Sequence, residues 1–221
     1  MLHRRGLISG ATAVVALRTL PVLGKSSEAA PSFPIGSTRF RICRKDREIG
    51  YHQVEITRTG ACYSVVTTVA VSVKAGPITV YRFNHHCEEE WQDERLVWLR
   101  STTNDDGRAA SLACRRDARG LTLLAASGLR YVPADVLTSN SLWTARFPQQ
   151  RQILDAREGD VIPVNARPAG KAMVRIRGWA TAADAYEITT ACLSGTILYL
   201  QEKWVGGWIM FQGETVTYEL V

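Results

Sequence analysis

Two histidines, a thiol and three glutamates stand within Arg82–Trp91, RFNHHCEEEW. Three kinds of chemistry could use them. His85 and Cys87 carry donor atoms suited to zinc. The same two groups have the composition of a thiol–imidazole nucleophile. His85 with Glu89 could exchange protons. The spacing constrains all three. Side chains alternate along a β-strand, so Tyr81, Phe83, His85, Cys87, Glu89 and Trp91 share one face. Arg82, Asn84, His86, Glu88 and Glu90 share the other. His85 and His86 therefore cannot chelate one ion together. His85 and Glu89 lie on one face but roughly 13 Å apart, four residues at about 3.3 Å each. Any partner for either must come from a neighbouring element.

The first set is aromatic and mostly apolar, which assigns it to the concave or core side; the second set belongs to solvent. Two readings of the inner set stand together. It is a structural core whose His85 and Glu89 are hydrogen-bonded within a partly wet sheet face. Or it is the wall of a cavity for an apolar or amphiphilic ligand, with Tyr81, Phe83 and Trp91 as the apolar surface and His85 and Glu89 as polar anchors. An enzyme using His85 with Glu89 or Cys87 is an alternative. A third is a scaffold that offers a sheet edge, or the aromatic region Tyr199–Tyr218, to a protein partner. Metal binding would need further ligands from elsewhere, with His52 or Cys62 as the available types, and no metal-ligand spacing is present. There is no nucleophile elbow, phosphate loop, dinucleotide fingerprint or metalloprotease helix. No catalytic residue, metal or cofactor is therefore assigned. Asp105 and Asp106 in TTNDDGR lack the alternating acids of a calcium loop and read as an Asp-Gly hairpin turn.

The elements that must position these residues read as successive strands. Thr38–Lys45, Glu48–Arg58, Cys62–Val73, Ile78–Trp91, Arg95–Thr103, Arg108–Arg116 and Leu121–Ala126 follow one another across short turns, which implies antiparallel hairpins. Thr138–Leu154 differs. Thr138 and Ser139 are potential caps, and Pro148 forbids one regular helix through the segment. One or two short helices are expected, over Asn140–Phe147 and Gln149–Asp155. Strands resume at Val161–Val164, Ala172–Trp179, Ala185–Thr190, Gly195–Glu202, Trp208–Phe211 and Val216–Leu220. Gly206-Gly207 reads as a hairpin turn between Trp204 and Trp208. The fold class is all-β: a large curved antiparallel sheet or half-barrel with one or two short helices in a mid-chain insertion.

The chain has 221 residues, 46% of them hydrophobic, and a formal charge of +6. That length suits one domain and a leader. MLHRRGLISGATAVVALRTLPVLGK has a charged start, a small and apolar middle, and a helix breaker at Pro21, the layout of an export signal. Arg4-Arg5 before Gly6-Leu7-Ile8 resembles a twin-arginine motif, although His3 stands where Ser or Thr is usual. Residues 1–30 are read as a cleaved export signal and 31–221 as a single antiparallel β domain, which makes the mature protein soluble and periplasmic. No stretch of the mature chain is read as a membrane span. Without the leader the charge falls to +3, with cations and acids interspersed. A basic stripe is absent, so nucleic acid is not an expected partner. Cys43, Cys62, Cys87, Cys114 and Cys192 lack redox or zinc spacing, and most are read as small buried hydrophobes.

RFRICRKDREIGYHQVEITR, ITVYRFNHHCEEEW, TTNDDG and WVGGWIMFQGETVTYEL resemble exported proteobacterial proteins of domain-of-unknown-function family 6134. The resemblance rests on the Arg47–Gly50 hairpin, on Tyr81, Arg82, Phe83, His85, Glu89 and Trp91, and on the Asn140-Ser141-Leu142-Trp143 segment. It implies a large curved antiparallel sheet and brings no activity with it.

Overall fold

The computed structural model describes residues 33–221 except 133, 134, 177, 192 and 212. The leader and Cys192 lie outside the described residues. The first meander runs β1 (Gly36–Arg44), β2 (Arg47–Thr59), β3 (Cys62–Ala75), β4 (Ile78–Gln92), β5 (Arg95–Asp105), β6 (Arg108–Asp117), β7 (Gly120–Ala125) and β8 (Gly128–Val132). Then come two short strands, β9 (Leu137–Thr138) and β10 (Gln152–Leu154), followed by β11 (Val161–Ile176), β12 (Trp179–Thr190), β13 (Ser194–Leu200), β14 (Lys203–Phe211) and β15 (Glu214–Leu220). All fifteen form one sheet in the order β8 to β1, then β15 down to β9. The first and last long strands thus meet inside the sheet, Phe40 opposite Leu220. Every pairing is antiparallel except β9 with β10.

Tight turns set the register. Lys45-Asp46, Asp93-Glu94 and Gln201-Glu202 hold both residues at positive φ, the conformation of a two-residue hairpin loop whose twist matches the flanking strands. The two ends of the sheet are joined by side chains rather than by strand pairing. Arg130 on β8 binds Asp160 and donates to the Glu158 carbonyl at 2.7 Å. Arg116 and Arg95 both reach Asp135. The Ser101 hydroxyl donates to the Ala156 carbonyl. The principal core fills the inner face, where Phe40, Val54, Val65, Leu99, Leu112, Leu123, Ile188 and Ile197 meet Leu142, Trp143, Phe147 and Leu154 of the covering segment.

Three expectations are corrected in their detail. The two short helices expected in Thr138–Leu154 are present, but as single 3₁₀ turns with narrower bounds than Asn140–Phe147 and Gln149–Asp155. Two 3₁₀ turns, Ser141–Trp143 and Phe147–Gln149, flank an extended Thr144, and the following residues pair as β10. Pro148 sits inside the second turn, where the first residues of a 3₁₀ turn have no intrahelical N–H bond to lose. Second, Val161–Val164 and Ala172–Trp179 are not separate strands. β11 is continuous, with a register shift between Pro168 and Lys171 that exchanges its faces. Beyond the shift Ala172, Val174 and Ile176 join Ala183, Ala185, Leu198 and Val205 in a second, small core on the outer face. Third, Gly206-Gly207 is not a turn. Both glycines lie within β14, opposite Leu198 and Ile197, at φ +148° and +149°. A Cβ on Gly206 would stand 2.8 Å from the Tyr218 carbonyl oxygen and 3.4 Å from Val174. The glycine is there because the outer layer and the neighbouring strand approach too closely for a side chain.

Candidate functional site

The inner face of β4 grades from half-buried to buried along its length. Tyr81 and Phe83 are half-buried; His85, Cys87, Glu89 and Trp91 are buried, and the alternate residues Arg82, Asn84, His86, Glu88 and Glu90 are exposed. Cross-strand register supplies the neighbours. Val73, Val71 and Val69 on β3 stand opposite Tyr81, Phe83 and His85, and Thr103 on β5 stands opposite His85 from the other side. His52 occupies the same row on β2, beside Val69.

The covering segment brings in the partners that the strand alone cannot. The Thr138 hydroxyl donates to Glu89 Oε1 at 2.7 Å. The Trp91 indole donates to Glu89 Oε2 at 2.9 Å, and the Cys87 thiol lies 3.8 Å from Oε1. Thr138 and Ser141 hydroxyls are 3.0 Å apart. Asn140 gives its backbone N–H to Thr138 Oγ1 at 3.2 Å and its side-chain amide to His85 Nε2 at 3.1 Å. With Nε2 accepting, Nδ1 carries the proton and donates it to Thr103 Oγ1, 2.8 Å away. A hydrogen-bonded path therefore runs Thr103–His85–Asn140–Thr138–Glu89–Trp91. His85 and Glu89 do not touch; the loop couples them. Thr103, Thr138, Asn140 and Ser141 were not singled out as site residues from sequence. The polar run Thr138-Ser139-Asn140-Ser141 was the available signal, and its reading as helix caps concealed it.

Burial sets the protonation states. Desolvation pushes Glu89 up to about 7 against the hydrogen bonds from Thr138 and Trp91 that favour its carboxylate. Burial, aided by the Arg157 charge, draws His85 down to about 4. Burial draws His52 to about 3, and its Nε2 has no partner among the described residues. The Cys87 thiol is pushed far up by burial and then by Glu89, so it is a thiol at neutral pH. A nucleophile needs the opposite shift. Asp155 is opposed by burial yet held below its usual range by Arg157, which chelates it with a 2.8 Å Nη2–Oδ2 contact. Tyr81 donates to Asp105 at 2.8 Å.

The five residues proposed from sequence as one ligand wall thus divide. Trp91 packs edge-on against Phe33 and Trp143, ring centroids 5.8 and 6.0 Å away, and with Glu89 forms the closed end. Tyr81 and Phe83 form a half-open rim, and Phe83 stacks on His85 at 6.4 Å. From Tyr81 to Trp91 the strand runs on the order of 33 Å, longer than a compact pocket. Two concavities lie on the outer face and touch none of the five. One, of about 400 Å³, is lined by Glu90, Val97, Trp98, Arg115 and Arg116; the other by Asn165, Arg167, Glu187 and Thr189. Among the described residues no group of three or more His, Cys, Asp or Glu is placed to hold a metal ion. No helix there is long and apolar enough to cross a membrane. Cys43, Cys87 and Cys114 are buried free thiols, and Cys62 is an exposed one.

No curated protein sequence matches the chain. Its fold is similar to the crystal structure of a β-barrel-like protein of domain of unknown function DUF1849 from Brucella abortus. The TM-score is 0.57 at 7% identity, over 84% of this chain and 94% of that one. That likeness is one of fold alone, a sheet curled toward a barrel. The family model of DUF6134, a domain of unknown function, matches residues 40–221, and the chain belongs to that family.

Proposed function

We propose that the protein is exported and holds an apolar or amphiphilic molecule, without transforming it, at the half-open end of its inner sheet face. One observation carries this reading. Val69, Val71, Val73, Tyr81 and Phe83 are predominantly apolar and face inward, yet all five remain only half-buried, while the opposite end of the same face is closed over by Leu142, Trp143 and Phe147. An apolar surface left partly uncovered beside a buried hydrogen-bonding group has the composition of a small-molecule site. The ligand's tail would cover Val71, Val73 and Phe83, and its polar part would lie toward Tyr81–Asp105 and Arg157–Asp155. The unactivated Cys87 thiol, and a His85 whose two ring nitrogens are engaged, favour binding over catalysis. Export is supported by the Arg4-Arg5 leader read from the sequence.

Native mass spectrometry of protein purified from its envelope fraction, before and after organic extraction, tests the binding. A removable lipid-sized mass is expected, and returning the extract should raise the melting temperature by mass action. Phe83→Glu should lose that rise while the extracted protein melts much as before, since Phe83 is already half-exposed. An extract that shifts neither protein refutes the reading. Replacing Arg4 and Arg5 with Lys should block appearance in the periplasm; unchanged export would sink the twin-arginine assignment.

A further inference from the structure

Strand pairing around the β3–β4 hairpin ends early on both sides. On the β2 side the last pair is Gly50 with Val71, and on the β5 side it is Phe83 with Asp105. β3 and β4 continue as a pair to Ala75 and Ile78. The hairpin therefore runs on as a two-stranded flap of roughly four residues per strand, on the order of 13 Å, unpaired with its neighbours, while β2 continues to Arg47 paired with β1. Its tip is apolar in the open. Ile78 is 67% and Val80 53% exposed. Lys74 and Arg82 are exposed beside them, and Val71–Phe83 contains no carboxylate. Asp105 and Asp106 are engaged at the flap's base, by the Tyr81 hydroxyl and the Arg82 backbone N–H.

We infer that this flap is a lip that seats the protein on an anionic bilayer surface, so that the amphiphile of the reading above passes along it between membrane and inner face. The inference rests on that reading for its purpose, but not for its geometry. Continuity argues for it: Val73 and Tyr81 of the flap adjoin Val71 and Phe83 of the proposed ligand wall. Charge argues for a membrane rather than a second copy of the chain, because two flaps would oppose like charges, whereas Lys74 and Arg82 are attracted to anionic headgroups. Backbone chemistry limits the depth. The flap's unpaired strand edges must keep water or headgroup partners, so only Ile78 and Val80 enter the acyl boundary while the cations stay at headgroup level.

The test is flotation of the protein with phosphatidylglycerol–phosphatidylethanolamine vesicles and with phosphatidylcholine vesicles. Binding of the apolar fluorophore N-phenyl-1-naphthylamine is measured in parallel, without vesicles. Wild type should float with the anionic vesicles and release from them at high salt. Lys74→Gln with Arg82→Gln should weaken that association roughly tenfold or more and leave phosphatidylcholine unaffected. Ile78→Asp with Val80→Asp should lose flotation, yet keep its melting temperature and its fluorophore binding. Wild type that does not float, or an aspartate variant that floats equally well, overturns the inference. Self-association of wild type through the tip, abolished by the aspartates, would also overturn it by assigning the flap to a second copy. Loss of fluorophore binding by wild type, with flotation intact, would count against the ligand reading alone.

Discussion

Replacing Glu89 by Gln should stabilise the protein above neutral pH and leave it unchanged in acid. Glu89 is 1% exposed, and no cation contacts it among its hydrogen-bond partners Thr138, Trp91 and Cys87. Its pKa rises from an ordinary 4.5 to about 7 through burial. Between those values the folded protein holds a proton that the unfolded chain has released, so this residue's contribution to stability falls as pH rises. The loss is absent below about 4.5, complete above about 7, and amounts to roughly 3 kcal/mol in all. Glutamine escapes it because the network can reorient. Trp91 can only donate, so the amide oxygen must face it. The amide nitrogen then faces Thr138, whose hydroxyl can accept and pass its own proton to Ser141, 3.0 Å away. His85 and His52 titrate with the opposite sign, since burial lowers both and their neutrality costs stability below about 6.5. They do so equally in both proteins, so the difference between variant and wild type isolates Glu89. Urea unfolding followed by tryptophan fluorescence from pH 4.5 to 8 measures that difference. A flat difference curve, or a variant less stable than wild type at pH 8, would refute the reasoning.

Trp91→Ala should cost about 3–5 kcal/mol whether or not a ligand is present, because Trp91 packs on Phe33 and Trp143; a small loss in the same unfolding assay would mean that the closed end is not packed. Gly206→Ala should destabilise by roughly 1–3 kcal/mol from backbone strain, more with the Tyr218 and Val174 contacts; a neutral result would return Gly206-Gly207 to a turn. His85→Gln should stay within about 1 kcal/mol of wild type at pH 7, since the amide can donate to Thr103 and accept from Asn140, and should flatten part of the acid-side slope. A thiol reagent should modify Cys62 at once and Cys43, Cys87 and Cys114 only on unfolding, read by intact mass.

The β4 alternation was legible because a strand's period of two is a local property, and an aromatic and small-residue set alternating with charges leaves only one inward face. The meander was legible for the same reason: its turns are two residues long and chemically marked. What failed depended on tertiary contact. Gly206-Gly207 looks like a turn when only neighbours in sequence are considered, and the reason for the glycines lies on other strands: the Tyr218 carbonyl and Val174 crowd Gly206, and the Thr196 carbonyl and Ile197 crowd Gly207. The Thr138–Asp155 segment has caps and apolar spacing compatible with helix. Its Thr138 hydroxyl is instead recruited by Glu89, whose burial requires donors, and Ser141 and Asn140 bond that hydroxyl in turn. The candidate site was half legible for this reason. Its strand residues were readable, and its loop partners depended on a contact across the core.

The pairing of β1 with β15 has a consequence for how the chain reaches this state. Every other long-strand pair is a hairpin that can close locally, but the seam from Phe40 to Leu220 joins points nearly a whole domain apart and carries the largest closure entropy. Until Glu214–Leu220 is available, β1 and β14 are both bare sheet edges, the templates on which wrong pairing starts. Because the Val221 N–H bonds the Arg39 carbonyl at 3.0 Å, the domain's two ends lie side by side. A circular permutant that joins Val221 to Phe33 through a short linker and opens between β8 and β9, the two strands at the ends of the sheet order, would turn this slow seam into one more hairpin without creating another, and should fold faster to the same sheet.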